Sequence, residues 1–230
     1  MRIARVVPIE DIVERHLKLR IDFDDMHQLF NQPRSGRFEP DILGAIWFDR
    51  RSIVIDESLD PEENPSKEGR YRFTLAHEGG GHWRLHRHLF AKDPAEISFV
   101  NEPASPSVVC RSRKAKDSVE WQADFYASCL LMPRTLVMAA WDEMFPDCKP
   151  RVLRPETPIG HPYVEIERMT DEFGFDAGTD ECVLNNFARP LAEQFLVSPI
   201  AMRIRLEKLG LLLREVPEQR TLLASASSVF

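Results

Sequence analysis

The chain has 230 residues, 43% of them hydrophobic, enough to bury a core and ordinary for a globular protein. Its formal net charge of −7 argues against non-specific coating of nucleic acid, which relies on neutralising many phosphates. The opening MRIARVVPIEDIVERHLK has no apolar signal region and no window reaches a membrane span, so the expected location is cytoplasmic. Four cysteines without a C-x-x-C pair are expected to be reduced and structural.

In chain order, Ile9, Ile12, Val13 and Leu17 recur at helical spacing behind Pro8 and predict a first amphipathic helix. LGAIWF (43–48) and SIVID (52–56), joined by Asp49-Arg50-Arg51, predict a β-hairpin. Asn64-Pro65-Ser66 predicts a helix start with Asn64 as cap, and the helix is expected to run through HEGGGH to about Leu85. Residues 92–107 read as loop with at most short strands such as EISFV and SVVC. A strong helix follows from about Ser118 to Met132, stopped by Pro133, and TLVMAAWDEMF (135–145) predicts another. Residues 146–180, rich in Pro, Gly and acidic side chains, read as an irregular connector. The segment LNNFARPLAEQFLVSPIAMRIRLEKLGLLL is expected to be helical, and ASASSVF a mobile tail.

HEGGGH (77–82) carries the chemistry. Zinc takes imidazole nitrogens and carboxylates, and a catalytic site holds it through three protein ligands. His77 and His82 offer two ligands, but they stand five residues apart rather than four. Five residues of regular α-helix turn the pair about 140° out of register, whereas a π-bulge with an i→i+5 hydrogen bond absorbs the added residue. A bulge is therefore expected at Gly79–Gly81. Glu120 on the later helix can supply the third ligand, and Asp124, one turn on, can accept the remaining N–H of a ligand histidine. Ala123 and Ala127 are small enough to let the two helices approach closely. Alternatives are a site built on the i, i+4 pair His82 and His86, in which Trp83 stands where a base is needed, and no metal at all. His86 and His88 otherwise read as supporting or surface groups.

RFTLAHE (72–78), GHWRLHR (81–87) and EWQADFYASCLLMP (120–133) resemble the ImmA/IrrE-type metallopeptidases, with a weaker match at LAEQFLVSPIAMRIRLEKLGL (191–211). The resemblance runs from about Ile9 to Leu213 and departs from the family pattern in the additional glycine. It implies an α+β zincin-like metallopeptidase domain (1–150), the connector (151–180), and a helical domain with a helix-turn-helix-like segment (181–230). It further implies that His77, His82 and Glu120 bind Zn2+ and that Glu78 is the catalytic base; Asp124 and His86 are read from their positions as groups that support the ligands. The substrate it implies is a helix-turn-helix transcriptional repressor, cleaved by metal-assisted amide hydrolysis. Tyr126, His161 and Tyr163 are candidate oxyanion donors by residue type. A different class of function remains open, a catalytically weak metal-binding regulator acting by protein or DNA contacts, for instance a toxin-antitoxin component. In the last segment, a helix from Pro199 carrying Arg203, Arg205 and Lys208 follows a turn in which Leu196 stands where glycine is usual. Its large apolar share also suits a helical hairpin docked on the rest of the protein.

Overall fold

A computed structural model describes residues 5–31, 42–90, 108–111, 118–155, 163–167 and 178–217. The first helix, α1 (Ile9–Asp11), continues as a π-helical turn, Ile12–His16, and turns Ile9, Val13 and Leu17 into the core. Lys18, at φ 57°, ends it. Strand β1 (Arg20–Asp24) and a short α2 (Met26–Leu29) follow, and the Asp25 carboxylate caps α2 by accepting from the His27 and Gln28 amides.

The expected hairpin forms from β2 (Ile42–Trp47) and β3 (Ser52–Asp56), paired antiparallel with Gly44 opposite Ile55 and Trp47 opposite Ser52. Strand β1 adds in parallel to the other edge of β3, and β4 (Val108–Arg111) adds antiparallel to β2, giving the order β1-β3-β2-β4. β4 overlaps the SVVC stretch, while EISFV and the loop around it lie outside the described residues.

The chain next enters the long helix that carries the motif. Pro65 begins a single 3₁₀ turn, Pro65–Lys67, before α3 (Glu68–Leu75). The Asn64 side chain makes no capping bond, contrary to expectation. Its backbone is used instead: the amide donates to the Asp60 carbonyl at 2.7 Å and the carbonyl accepts from Lys67 at 2.9 Å, which closes the turn without the side chain. From Ala76 to His86 the helix is π-helical, and it finishes as α4 (Arg87–Phe90). Helix α5 (Ser118–Leu131) packs along the π segment, and α6 (Arg134–Met144) follows Pro133.

The segment read as an irregular connector contains two short strands, β5 (Arg151–Arg154) and β6 (Val164–Glu165). Adjacent Val152 and Leu153 are both buried, and Arg151 is anchored by two bonds of 3.0 Å to the Asp147 carboxylate. Leu212 and Leu213, expected to prolong the last helix, instead open strand β7 (Leu212–Glu215), which pairs parallel to β5 in a second sheet ordered β6-β5-β7. Gly210 explains the change: at φ 72° it ends α8 (Pro199–Lys208), with the Leu211 amide reaching the Leu206 carbonyl and the Gly210 amide reaching Glu207.

Helix α7 (Asp180–Phe195) ends in the same manner on Leu196, at φ 50°, with the Val197 amide donating to Ala192. Ser198 then caps α8 by accepting from Ala201 at 3.1 Å, and Pro199 occupies the first helical position. The tight α7–α8 pair lies against the rest of the chain. A Cβ on Gly69 would stand 2.7 Å from the Val197 carbonyl carbon and the Ser198 nitrogen, so the turn rests directly on the start of α3. Arg205, one of the basic residues considered for DNA contact, is buried; its Nε donates to the Met132 carbonyl at 3.0 Å and its Nη1 lies 3.3 Å from Cys129 Sγ. Arg203 bonds Asn185 and Glu207. One buried apolar cluster joins Ile9, Ile53, Leu75, Ala127, Trp141, Leu184, Phe195 and Leu212, and the connector does not interrupt it. Among the described residues no helix is long and apolar enough to cross a membrane.

Candidate metal centre

The π segment resolves the spacing problem in HEGGGH. With i→i+5 bonding, five residues return to the same side of the helix, and the His77 and His82 Nε2 atoms stand 2.9 Å apart. The expected local bulge is thus a longer stretch, Ala76–His86, rather than a defect confined to the glycines.

The glycines themselves act through space rather than through unusual backbone angles, since none of the three has a positive φ. A Cβ on Gly79 would come within 2.7 Å of Val13 Cγ2, one on Gly80 within 2.7 Å of Tyr126 Cε1, and one on Gly81 within 2.6 Å of both Ala123 Cα and Cβ. Three neighbours, Val13 from the first helix and Ala123 and Tyr126 from α5, therefore close on the helix where it lacks side chains. The approach of Ala123 brings α5, and with it Glu120, up to the two histidines.

Glu120 Oε2 lies 3.2 Å from His77 Nε2, and Oε1 lies 3.5 Å from His82 Nε2. One ligand atom from each of His77, His82 and Glu120 falls within 4.8 Å of the others. Tetrahedral ligands at about 2.0–2.1 Å from zinc stand roughly 3.3 Å apart, close to these separations. On the far side of His77, Nδ1 lies 2.9 Å from Asp124 Oδ1, so Nδ1–H donates to the carboxylate and Nε2 faces the other two ligand atoms. His82 Nδ1 meets His86 Nδ1 at 3.1 Å, and His86 Nε2 meets Gln122 Oε1 at 3.0 Å.

Charge on the site supports a cation. Burial alone would raise the Glu120 carboxyl, but its hydrogen bonds to His77 and His82 outweigh that and hold it down to about 2. Burial lowers the pKa of His82 and keeps the imidazole neutral, the form that ligates metals. The Glu120 carboxylate and His77 Nε2, 3.2 Å apart, share positive charge between them, either a proton or a metal ion. The N, N, O donor set is one that zinc accepts.

Glu78 is fully buried, and neither carboxylate oxygen has a hydrogen-bond partner among the described residues. Burial pushes its pKa up to about 8, Glu120 adds to the rise, and His77 opposes it. Leaving such a group unpaired is costly. A cation held by the triad would draw the carboxyl back towards its ionised form. Glu120 keeps 18% of its side chain exposed, so the triad opens to solvent on that side.

Of the remaining candidates, Tyr126 lies beside the motif with its ring over Gly80. Tyr163 precedes β6 in the second sheet, and His161 lies outside the described residues. Trp83, which follows His82, turns away from the triad and is buried beneath the Arg51 and Arg87 guanidiniums, 5.0 and 4.9 Å from its ring. In the alternative pair of His82 and His86, the Nδ1 atoms face each other at hydrogen-bond distance, while His82 Nε2 turns to His77 and Glu120. Gln122 had no signal in the sequence, because it stands two residues from both Glu120 and Asp124 and so off their shared face.

Neither a protein-family model nor a curated protein matches the chain.

Proposed function

We propose that the protein is a zinc-dependent endopeptidase, similar to the ImmA/IrrE type, with His77, His82 and Glu120 as ligands and Glu78 as general base. The observation that carries the reading is the convergence of these three ligand atoms beside a buried, unpartnered Glu78 carboxylate. Zinc, when bound, supplies a Lewis acid that polarises a peptide carbonyl and acidifies water. Glu78 takes a proton from the attacking water and delivers it to the departing amine. Asp124 holds His77 in the tautomer that presents Nε2. The carboxylate face of Glu120 that reaches solvent gives a peptide its approach. By the resemblance of its motifs, the substrate is a helix-turn-helix transcriptional repressor.

A second reading, a metal-binding regulator without hydrolytic activity, is favoured by the complete burial of Glu78, since a base must meet water. DNA contact through Arg205 has no support, because that side chain is spent on Met132 and Cys129.

Metal analysis tests the first element of the proposal: stoichiometric zinc is expected in the wild type and its loss in His77→Ala, His82→Ala and Glu120→Ala. Full retention in His77→Ala would remove the site. Glu78→Gln is expected to keep zinc and abolish cleavage of a co-expressed repressor; normal cleavage by that variant would overturn the base assignment, and absence of cleavage by the wild type would leave the regulator.

A further inference from the structure

We infer that Trp121 and Phe125 form a platform beside the metal centre that receives a bulky apolar side chain of the peptide substrate, two or three residues from the bond that is cut. The inference takes the peptidase reading as its premise and adds the substrate class. Both residues stand on α5, one helical turn apart, with ring centroids at 5.4 Å and planes within 11° of each other. They are 55% and 48% exposed, whereas Trp47, Trp83 and Trp141, the other tryptophans of the chain, are buried.

The packing of α5 does not use the pair. This helix turns Ala123, Ala127 and Leu131 inward, all fully buried, and the two rings lie off that face. By area alone, on the order of 200 Å² of open ring surface, such a pair is ordinary. Its position gives it a use. Taking 3.6 residues per turn, the order around α5 from the ligand carboxylate is Glu120, Asp124, Trp121, Phe125. The Glu120 side chain is 18% exposed and that of Asp124 42%, so open surface runs from the triad to the half-exposed rings without a break.

Side chains three or four apart on a helix have Cβ atoms about 5–6 Å apart. Glu120 to Asp124 is one such step and Asp124 to Trp121 another, which places the rings ~10 Å along the surface from the ligand carboxylate. An extended peptide advances about 3.3 Å per residue, so a chain lying at the triad reaches the rings two or three residues later. The approach that Glu120 leaves open to a peptide is thus the same surface that leads to the platform. The carboxylates beside the rings are engaged, Asp124 with His77 and Glu120 with both His77 and His82, so what the platform offers is apolar area. A leucine, methionine or phenylalanine covers that area, and an alanine or serine does not.

The experiment uses the full-length chain, metal-free and labelled with 15N-tryptophan, in which the four indole N–H signals are followed separately and the one missing in Trp121→Phe belongs to Trp121. Capped hexapeptide probes of glycine and serine, carrying a single leucine, alanine or arginine, are titrated to millimolar concentration. The leucine probe is expected to move the Trp121 signal, to leave the three buried indoles in place, and to bind at least about tenfold more tightly than the alanine probe. No movement, or equal movement by the alanine probe, overturns the platform; a stronger response to the arginine probe overturns its apolar chemistry. Zinc-loaded protein is also given a mixture of random-sequence octapeptides, and the products are sequenced. Bulky apolar residues are expected to be enriched two or three places from the cut in wild type, and the enrichment to vanish in Trp121→Ala at unchanged zinc content. Enrichment that survives in Trp121→Ala overturns the platform. A response to the leucine probe without cleavage of the mixture leaves the rings standing as a peptide-binding surface and removes the peptidase reading.

Discussion

Replacing Gly81 by alanine tests whether the glycine run serves the site through close packing. The added Cβ would stand 2.6 Å from Ala123 Cα and Cβ, where carbon contacts prefer about 3.5–4.0 Å. The partner is backbone and cannot rotate away, so the π segment and α5 must separate by about 1 Å. Overpacking of this kind costs about 1–3 kcal/mol, offset by up to ~1 kcal/mol because alanine favours helix over glycine. With that offset a net loss of about 0–2 kcal/mol is expected in urea unfolding of the metal-free protein. The site should suffer more, because Glu120 rides on α5 and a further 1 Å takes its 3.2 Å approach to His77 out of range for a shared ion. Zinc affinity, measured by competition with a chromophoric chelator, is expected to fall at least about tenfold, the lower end of what supporting residues contribute. Gly80→Ala meets side-chain atoms alone, the edge of the Tyr126 ring and Leu130 Cδ2, which can shift, and should lose less on both counts. If Gly81→Ala binds zinc like wild type, or Gly80→Ala is the worse variant, the close-approach account is wrong.

Other expectations follow from the same contacts. In metal-free protein the folded state keeps Glu78 protonated up to about 8 while the unfolded chain releases that proton near 4.5, so stability should fall as pH rises through this window. At about 1.4 kcal/mol per unit the full effect is on the order of 5 kcal/mol, and Glu78→Gln should flatten the profile in denaturation curves taken from pH 4 to 9. Arg205→Met should cost about 1.5–3 kcal/mol in urea unfolding, since the charge-assisted bond to the Met132 carbonyl disappears within a buried setting. Leu196→Gly should gain about 1 kcal/mol by relieving the left-handed backbone at φ 50°, read as a rise of roughly 2–4 °C in Tm; a fall would mean that the half-exposed leucine packs better than its environment suggests.

The features visible in the sequence are those with a local period. The hairpin, the two long helices and the i, i+4 spacing of Glu120 and Asp124 each follow from residues close together in the chain. The features that escaped depend on what comes across from elsewhere. Arg205 looks like a surface cation until Met132 is placed beside it. Gly79, Gly80 and Gly81 look like flexibility until Val13, Tyr126 and Ala123 are brought against them. Gln122 acquires a role only because His86 arrives from another helix. Strand β5 was hidden because Val152 and Leu153 make too short an apolar run among prolines, and its partner β7 lies far downstream. Gly210, by contrast, was a helix stop in plain sight, and reading it as one would have freed Leu212–Glu215 for the sheet.

The contact of Gly69 with Val197 and Ser198 also links two parts of the described chain that are distant in sequence. α3 feeds directly into the π segment, yet the surface that its first turn rests on is made by residues that lie far downstream, between α7 and α8. The entry of the helix that carries His77 is therefore fixed by a contact far along the chain, so a change at Val197 or Ser198 is expected to reach the centre without touching any of its residues.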